Sequence, residues 1–345
     1  MILEFVGLIV FALVMLVNIL IGGEIMIRSR NYLPLLGVGL VGLILLSLKT
    51  GAYDILNQPD GWQMFWITRV PRTVSLLLSG AALSICGLVM QLLTQNRFAE
   101  PTTAGTIEWA GLGLTLAYAY LPAPTLFQRM SAAIVCAFLG TSIFFFIIQR
   151  LQLQTSLMVP IVGLMLGAVV SAVSSFLALV FSLNQSLEIW FTGSFTQVQA
   201  GRYEYLWGIA VITVIIFLVS DRLMVVGLGK DTATSLGVNF QAVLLLGVGL
   251  VALAVGIVTA VIGQLPFLGL IVPNLVSLWR GDDLRSNLPY VCLLGMILIT
   301  TCDLISRTLV APLEMPVSLI LGTLGGAVFL LLLWQQAKGG GKQGD

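Results

Sequence analysis

Two pairs of ionisable residues stand in patterns able to do chemistry. Arg69 and Arg72 flank a proline in Arg69-Val70-Pro71-Arg72-Thr73, and Asp303 stands four residues before Arg307. A guanidinium is permanently charged and makes two parallel bonds to a carboxylate, so arginines grouped at one helix mouth suit the gripping of acidic groups. Arginines at a helix end also arise by snorkelling, the stem lying on apolar surface and the head in water. The spacing of Asp303 and Arg307 is one helical turn and favours a pair within the helix, one that orients Arg307 and leaves it donors to spare.

Other chemistries lack their residues. A loop that holds ATP phosphates ends in Gly-Lys-Ser/Thr, but Gly229-Lys230 is followed by Asp231 and Gly341-Lys342 by Gln343. Any ATP chemistry must therefore sit on another chain. Proton- and ion-coupled carriers place carboxylates or histidines inside the membrane. Histidine is absent here, and the acids Glu100, Glu188, Asp221, Asp231, Asp282 and Asp283 fall at helix ends or in loops, with Glu108 and Asp303 as exceptions. Cys86, Cys136, Cys292 and Cys302 lie in apolar runs without C-x-x-C spacing and read as small buried apolar residues. Nothing here binds a bare transition metal, and no catalytic residue stands out.

The elements that position these residues belong to a membrane. Of 345 residues, 58% are hydrophobic and 9% charged, against about 25% charged in a soluble domain. Mean hydropathy is +1.05. That excludes a water-soluble enzyme or a secreted disulfide scaffold, and a net charge of +1 gives no reason to expect nucleic acid as a partner. A bilayer core about 30 Å thick needs roughly 20 apolar residues per helix. The apolar runs predict spans near 5–25, 32–49, 70–93, 103–121, 129–149, 157–182, 205–220, 240–262, 267–279, 289–306 and 316–335. Helices satisfy their own backbone in lipid, and continuous runs do not fit a barrel's alternation.

Orientation follows the basic residues. With the 94–102 loop in the cytoplasm, Arg28, Arg30, Arg97, Arg150, Arg222, Lys230, Arg280, Arg285, Lys338 and Lys342 lie inside. Lys49, Arg69, Arg72, Arg129, Arg202 and Arg307 lie outside. The bias is modest, and the close pair Arg69 and Arg72 at one helix mouth goes against the rule and asks for a reason.

Three stretches carry the most information: Arg69 to Gly105, Gly227 to Asn239, and Gly263 to Ser318. The first contains Asn96-Arg97-Phe98-Ala99-Glu100-Pro101 and then Glu108-Trp109; the third contains Gly263-Gln264-Leu265-Pro266, Pro273-Asn274 and Met315-Pro316-Val317-Ser318. Gly263 and Gly269 around Pro266 predict a broken helix, tolerated only where protein or a cavity covers it. In these motifs and their order the chain resembles the FecCD-type permeases, the membrane subunits of binding-protein-dependent ABC importers for iron–siderophores and vitamin B12. The resemblance covers 65–335 and is strongest to the ferric catecholate branch. It departs at Pro273-Asn274, where the family has Pro-His, and at Met315 to Ser318, where it has Leu-Pro-Val-Gly. The family has ten spans, so the run at 5–25 is extra.

The resemblance implies roles. Arg69, Arg72 and Arg307 would dock carboxylates of an external substrate-binding protein, with Asp303 as the partner of Arg307 in its helix. The segment 221–239 would form two short helices coupling to an ATPase through Gly227, Leu228, Gly229, Lys230, Asp231, Thr232, Ser235, Leu236 and Gly237, and the loop 280–288 would add a secondary contact. Its capping-type residues and glycines also suit an ordinary connecting loop. Asn96, Phe98, Thr155 and Ser156 would line a cytoplasmic gate, and Trp190 with Gly193-Ser194 an external loop.

The expectation is an all-α polytopic membrane protein of the bacterial cytoplasmic (inner) membrane, not an enzyme. It has an extra N-terminal helix with a basic loop over 1–31, a permease domain over 32–336 and a disordered tail over 337–345. Its implied partners are a second permease subunit (self or sister chain), two cytoplasmic ATPases carrying ATP and Mg, the binding protein, a ferric siderophore and lipid. The chain itself binds no cofactor. Vitamin B12 or haem is the alternative cargo, and a gradient-driven secondary transporter the alternative mechanism.

Overall fold

The computed structural model describes residues 32–51, 53, 58–151, 157–183, 192–281, 283–311 and 313–340. The extra span at 5–25, Thr155 and Ser156 of the gate, Glu188, Trp190, Asp282 and residues 341–345 of the tail lie outside the described residues. The described chain is helical, in the order α1 (Leu33–Lys49), α2 (Gly61–Thr94), α3 (Thr106–Tyr120), α4 (Leu126–Arg150), α5 (Met158–Val180), α6 (Trp207–Gly227), α7 (Lys230–Ser235), α8 (Phe240–Val261), α9 (Leu268–Arg280), α10 (Leu284–Thr308) and α11 (Val317–Gly340). A short 3-10 turn, Tyr203–Leu206, leads into α6. This is the all-α membrane architecture the hydropathy predicts.

Seven of these helices, the 3-10 turn included with α6, are long and apolar enough to cross a membrane. The other four, α1, α3, α7 and α9, are short. α9 has 13 residues, about 20 Å at 1.5 Å per residue, and cannot cross a core of about 30 Å. α3 has 15 residues and starts at Thr106 rather than near 103. α2 is 34 residues long and begins nine positions before the expected Val70, with a π-helical stretch, Phe65–Arg69, inside it. α11 runs to Gly340, past the expected boundary at 336.

The short helices follow from local backbone chemistry. Between α8 and α9 the chain carries Gly263 at φ 102 and Phe267 at φ 63, with Pro266 between them. Left-handed residues and a proline cannot continue a helix, so the break expected around Pro266 is present, between Val261 and Leu268. α9 then packs on α2 at unusually short range. A side chain at Gly87 would meet the Gly269 carbonyl oxygen at 2.0 Å, so the two backbones touch, as small residues allow in membrane bundles.

α2 and α8 form the interior, with 72% of each apolar window buried, whereas α5 and α11 bury only 28%. The latter two therefore offer faces to lipid or to another subunit. α2 runs antiparallel to α10, since Arg72 near the start of one meets Asp303 near the end of the other. That packing brings the first and third sequence stretches together.

Candidate functional site

At one end of the bundle the predicted docking residues form a buried ion cluster. Arg72 donates from Nε and Nη2 to Asp303 Oδ1 at 3.2 and 2.8 Å, and from Nη1 to Glu314 Oε2 at 2.8 Å. Arg307 Nη2 lies 2.6 Å from Asp303 Oδ2. Its Nη1 donates to the Thr50 carbonyl at 2.9 Å, and its Nη2 to the Ser47 hydroxyl at 2.9 Å. Arg69 Nη2 donates to the Tyr53 carbonyl at 3.0 Å, while its buried Nη1 has no hydrogen-bond partner among the described residues. Asp303 is fully buried, and Arg69 and Arg307 are each only 6% exposed. All three arginines are thus turned toward the protein's own acceptors. Among the described residues, three guanidiniums face two carboxylates, an excess of one positive charge.

Glu314 was not among the expected site residues. It lies in the connection before Met315-Pro316, where no periodicity marks it. The connection is fixed by Met315 and Ser306, which exchange two hydrogen bonds: the Met315 amide to the Ser306 carbonyl at 3.1 Å, and the Ser306 hydroxyl to the Met315 carbonyl.

At the other end the 95–105 segment is held turn by turn. Asn96 Oδ1 accepts from the Phe98 amide at 2.8 Å, and the Thr103 hydroxyl donates to the Phe98 carbonyl at 3.1 Å. Asn274 Nδ2 donates to the Arg97 carbonyl at 2.9 Å, so this asparagine ties α9 to the segment. Glu100 accepts from the Thr102 hydroxyl and, at 3.1 Å, from the Phe267 amide. Its carboxylate therefore sits at the broken start of α9, where amide donors are otherwise orphaned. The Phe98 ring meets Phe329 of α11 edge-on at 5.8 Å. Asn96 and Phe98 are brought together; they are buried within the described chain.

The segment expected to couple to an ATPase contains one short helix, not two. Residues 221–227 continue α6, and only Lys230–Ser235 forms a separate helix. The reason is apolar periodicity: Leu223 and Val226 are buried against the bundle, so that turn stays with α6. Within α7, Ala233 is fully buried and anchors the helix, while Lys230, Asp231, Thr232 and Ser235 are exposed. Leu228 and Leu236 are each 60% exposed on its flanks, and Gly227 and Gly237 bound it. Gly229 lies against the Gln95 carboxamide, next to Asn96. The 280–288 connection is shorter than expected, because α10 already begins at Leu284. Arg280 is held there by Asn287 at 3.2 Å and by the Tyr290 ring. Arg285 makes an exposed 3.5 Å pair with Asp221.

The model of the FecCD transport family matches residues 33–335. The chain is 61% identical to a petrobactin import system permease protein of Bacillus anthracis over 85% of its length and 88% of the relative's. It is 36% identical to a ferric-anguibactin transport system permease protein of Vibrio anguillarum, over 80% and 88%. Its fold is similar to that of a metal-chelate type ABC transporter solved in an inward-facing conformation, with a TM-score of 0.76 and 25% identity over 88% of this chain and 98% of that one.

Proposed function

This chain belongs to the FecCD transport family, and we propose that it is the permease subunit of a binding-protein-dependent ABC importer that passes a ferric siderophore inward across the cytoplasmic (inner) membrane. It is a multi-pass membrane protein without an ATP-binding loop of its own, so ATP and Mg act on a partner chain. One observation carries the reading: the family match spans 33–335, and over 294 residues the chain is 61% identical to a permease named for petrobactin import. A second relative is named for a ferric cargo, which favours a ferric chelate over vitamin B12 or haem.

The working assembly is two permease subunits, this chain with itself or with a sister chain, joined to two cytoplasmic ATPases and one external binding protein. The Arg72 end faces outward. Its surplus positive charge makes the cluster of Arg69, Arg72 and Arg307 a receptor for a carboxylate of the binding protein. The Asn96 end faces the cytoplasm, where Asn96 and Phe98 form the gate. α7 seats in the ATPase with Leu228 and Leu236 as apolar anchors. Because Gly229 abuts Gln95, movement of α7 is transmitted directly to the gate segment. ATP binding then biases a bistable bundle between outward and inward access.

The test is uptake of radioactive iron as ferric petrobactin into proteoliposomes holding the full complex. The reading predicts uptake that needs both ATP and the binding protein. Uptake that proceeds without ATP along a proton or sodium gradient makes the chain a secondary carrier instead.

A further inference from the structure

Two of the outside arginines, Arg129 and Arg202, belong to none of the parts above. Both line a cavity of about 580 Å³ at the Arg72 end, between α3, α4, the end of α8 and the 192–202 segment. That volume is in the range of small-molecule sites, about 300–1,000 Å³. Arg129 Nη1 donates to the Tyr118 hydroxyl, and its guanidinium lies 5.3 Å from the Tyr118 ring centroid. Its Nε is buried and has no hydrogen-bond partner among the described residues. Among the described residues, no carboxylate pairs with Arg129 or Arg202. The one carboxylate on the wall, Glu314, is already held by Arg72 at 2.8 Å.

The cavity is built and not an accident of a loose loop. The Ser194 amide donates to the Ile262 carbonyl at 3.2 Å, and the Ser318 amide to the Gly193 carbonyl at 3.1 Å. These bonds clamp the 192–202 segment between the end of α8 and the start of α11. Thr192 and Ser194 add hydroxyls to the wall. Two permanent cations with spare donors, partly screened from water, select an oxygen-rich anion.

Resting on the importer reading, we propose that this cavity is the receiving site for the anionic oxygen face of the ferric chelate as it leaves the binding protein, with Arg129 and Arg202 as the side chains that meet it. An iron(III) ion held by three dianionic catecholates has a net charge of −3, whereas three monoanionic hydroxamates leave it neutral. The site therefore discriminates chelates by charge, a selectivity separate from that of the binding protein.

The experiment uses the permease–ATPase complex in detergent without binding protein, and equilibrium dialysis of radioactive iron as its tris-catecholate or its tris-acetohydroxamate. The wild type retains the catecholate complex in preference to the neutral one. R129Q/R202Q lowers catecholate retention about tenfold or more, the scale of lost charge-assisted bonds, and leaves the hydroxamate unchanged; R129K/R202K retains most of the preference. Equal binding of both chelates by the wild type, or a double variant that binds the catecholate as before, overturns the proposal. So does displacement of the catecholate by phosphatidylglycerol vesicles, which marks a lipid-headgroup site. If R129Q/R202Q does not co-purify with the ATPase, R202Q alone makes the same test. Binding-protein-stimulated ATPase activity of the wild-type complex reports separately on the importer reading.

Discussion

Arg72 and Asp303 are separated by 231 positions in sequence, yet two nitrogens of Arg72 share one oxygen of Asp303, at 3.2 and 2.8 Å. Arg307 lies beside the other oxygen. One fully buried carboxylate thus joins α2 to α10 and is shared by two of the three arginines. Those arginines are held in place by the protein itself before any partner arrives.

Removing that carboxylate strands buried charge. D303N is expected to destabilise the protein by about 3–5 kcal/mol, the usual cost of breaking a buried ion pair. E314Q, at a pair whose acid is 24% exposed, is expected to cost about 1 kcal/mol or less. Thermal melts of the two purified variants check this, and equal melting temperatures contradict it.

Glu100 caps the broken start of α9. E100A is expected to cost about 1 kcal/mol, in the range of lost helix caps, while E100Q keeps an acceptor and loses less. Hydrogen exchange at the amides of Phe267 to Ile271 reads the effect locally. Unchanged protection in E100A removes the cap from the account.

The helical class, the break around Pro266 and most spans were legible in the sequence, because apolar run length and left-handed or proline positions are local properties. What was not legible is long-range. Glu314 reaches Arg72 across 242 positions, and Asn274 acts as a strut to Arg97 across 177 positions. The cavity around Arg129 and Arg202 is assembled from separate segments, and no local pattern in the sequence marked it. The second coupling helix was expected by resemblance, but buried Leu223 and Val226 keep those residues in α6.

The Gly87–Gly269 contact leaves no room for a methyl group. G87A forces α2 and α9 apart and is expected to cost about 1–3 kcal/mol, as overpacking does. G39A, where a side chain meets nothing within 4 Å, serves as the control and is expected to match the wild type in monodisperse yield. Equal yields for both variants contradict the contact.

The exposed apolar flanks of α7 give a separable prediction. L236E leaves the bundle intact, since Leu236 is 60% exposed, but is expected to lower ATPase co-purification about tenfold or more, as loss of an interface anchor does. Full retention of the ATPase assigns the coupling contact elsewhere.

The most direct test of the importer reading is the ATPase activity of the complex purified gently from membranes, with and without binding protein loaded with ferric siderophore. The account predicts that an ATPase co-purifies, that the loaded binding protein stimulates it, and that R69E/R72E abolishes the stimulation. Failure of any ATPase to co-purify, or activity indifferent to the binding protein, contradicts it.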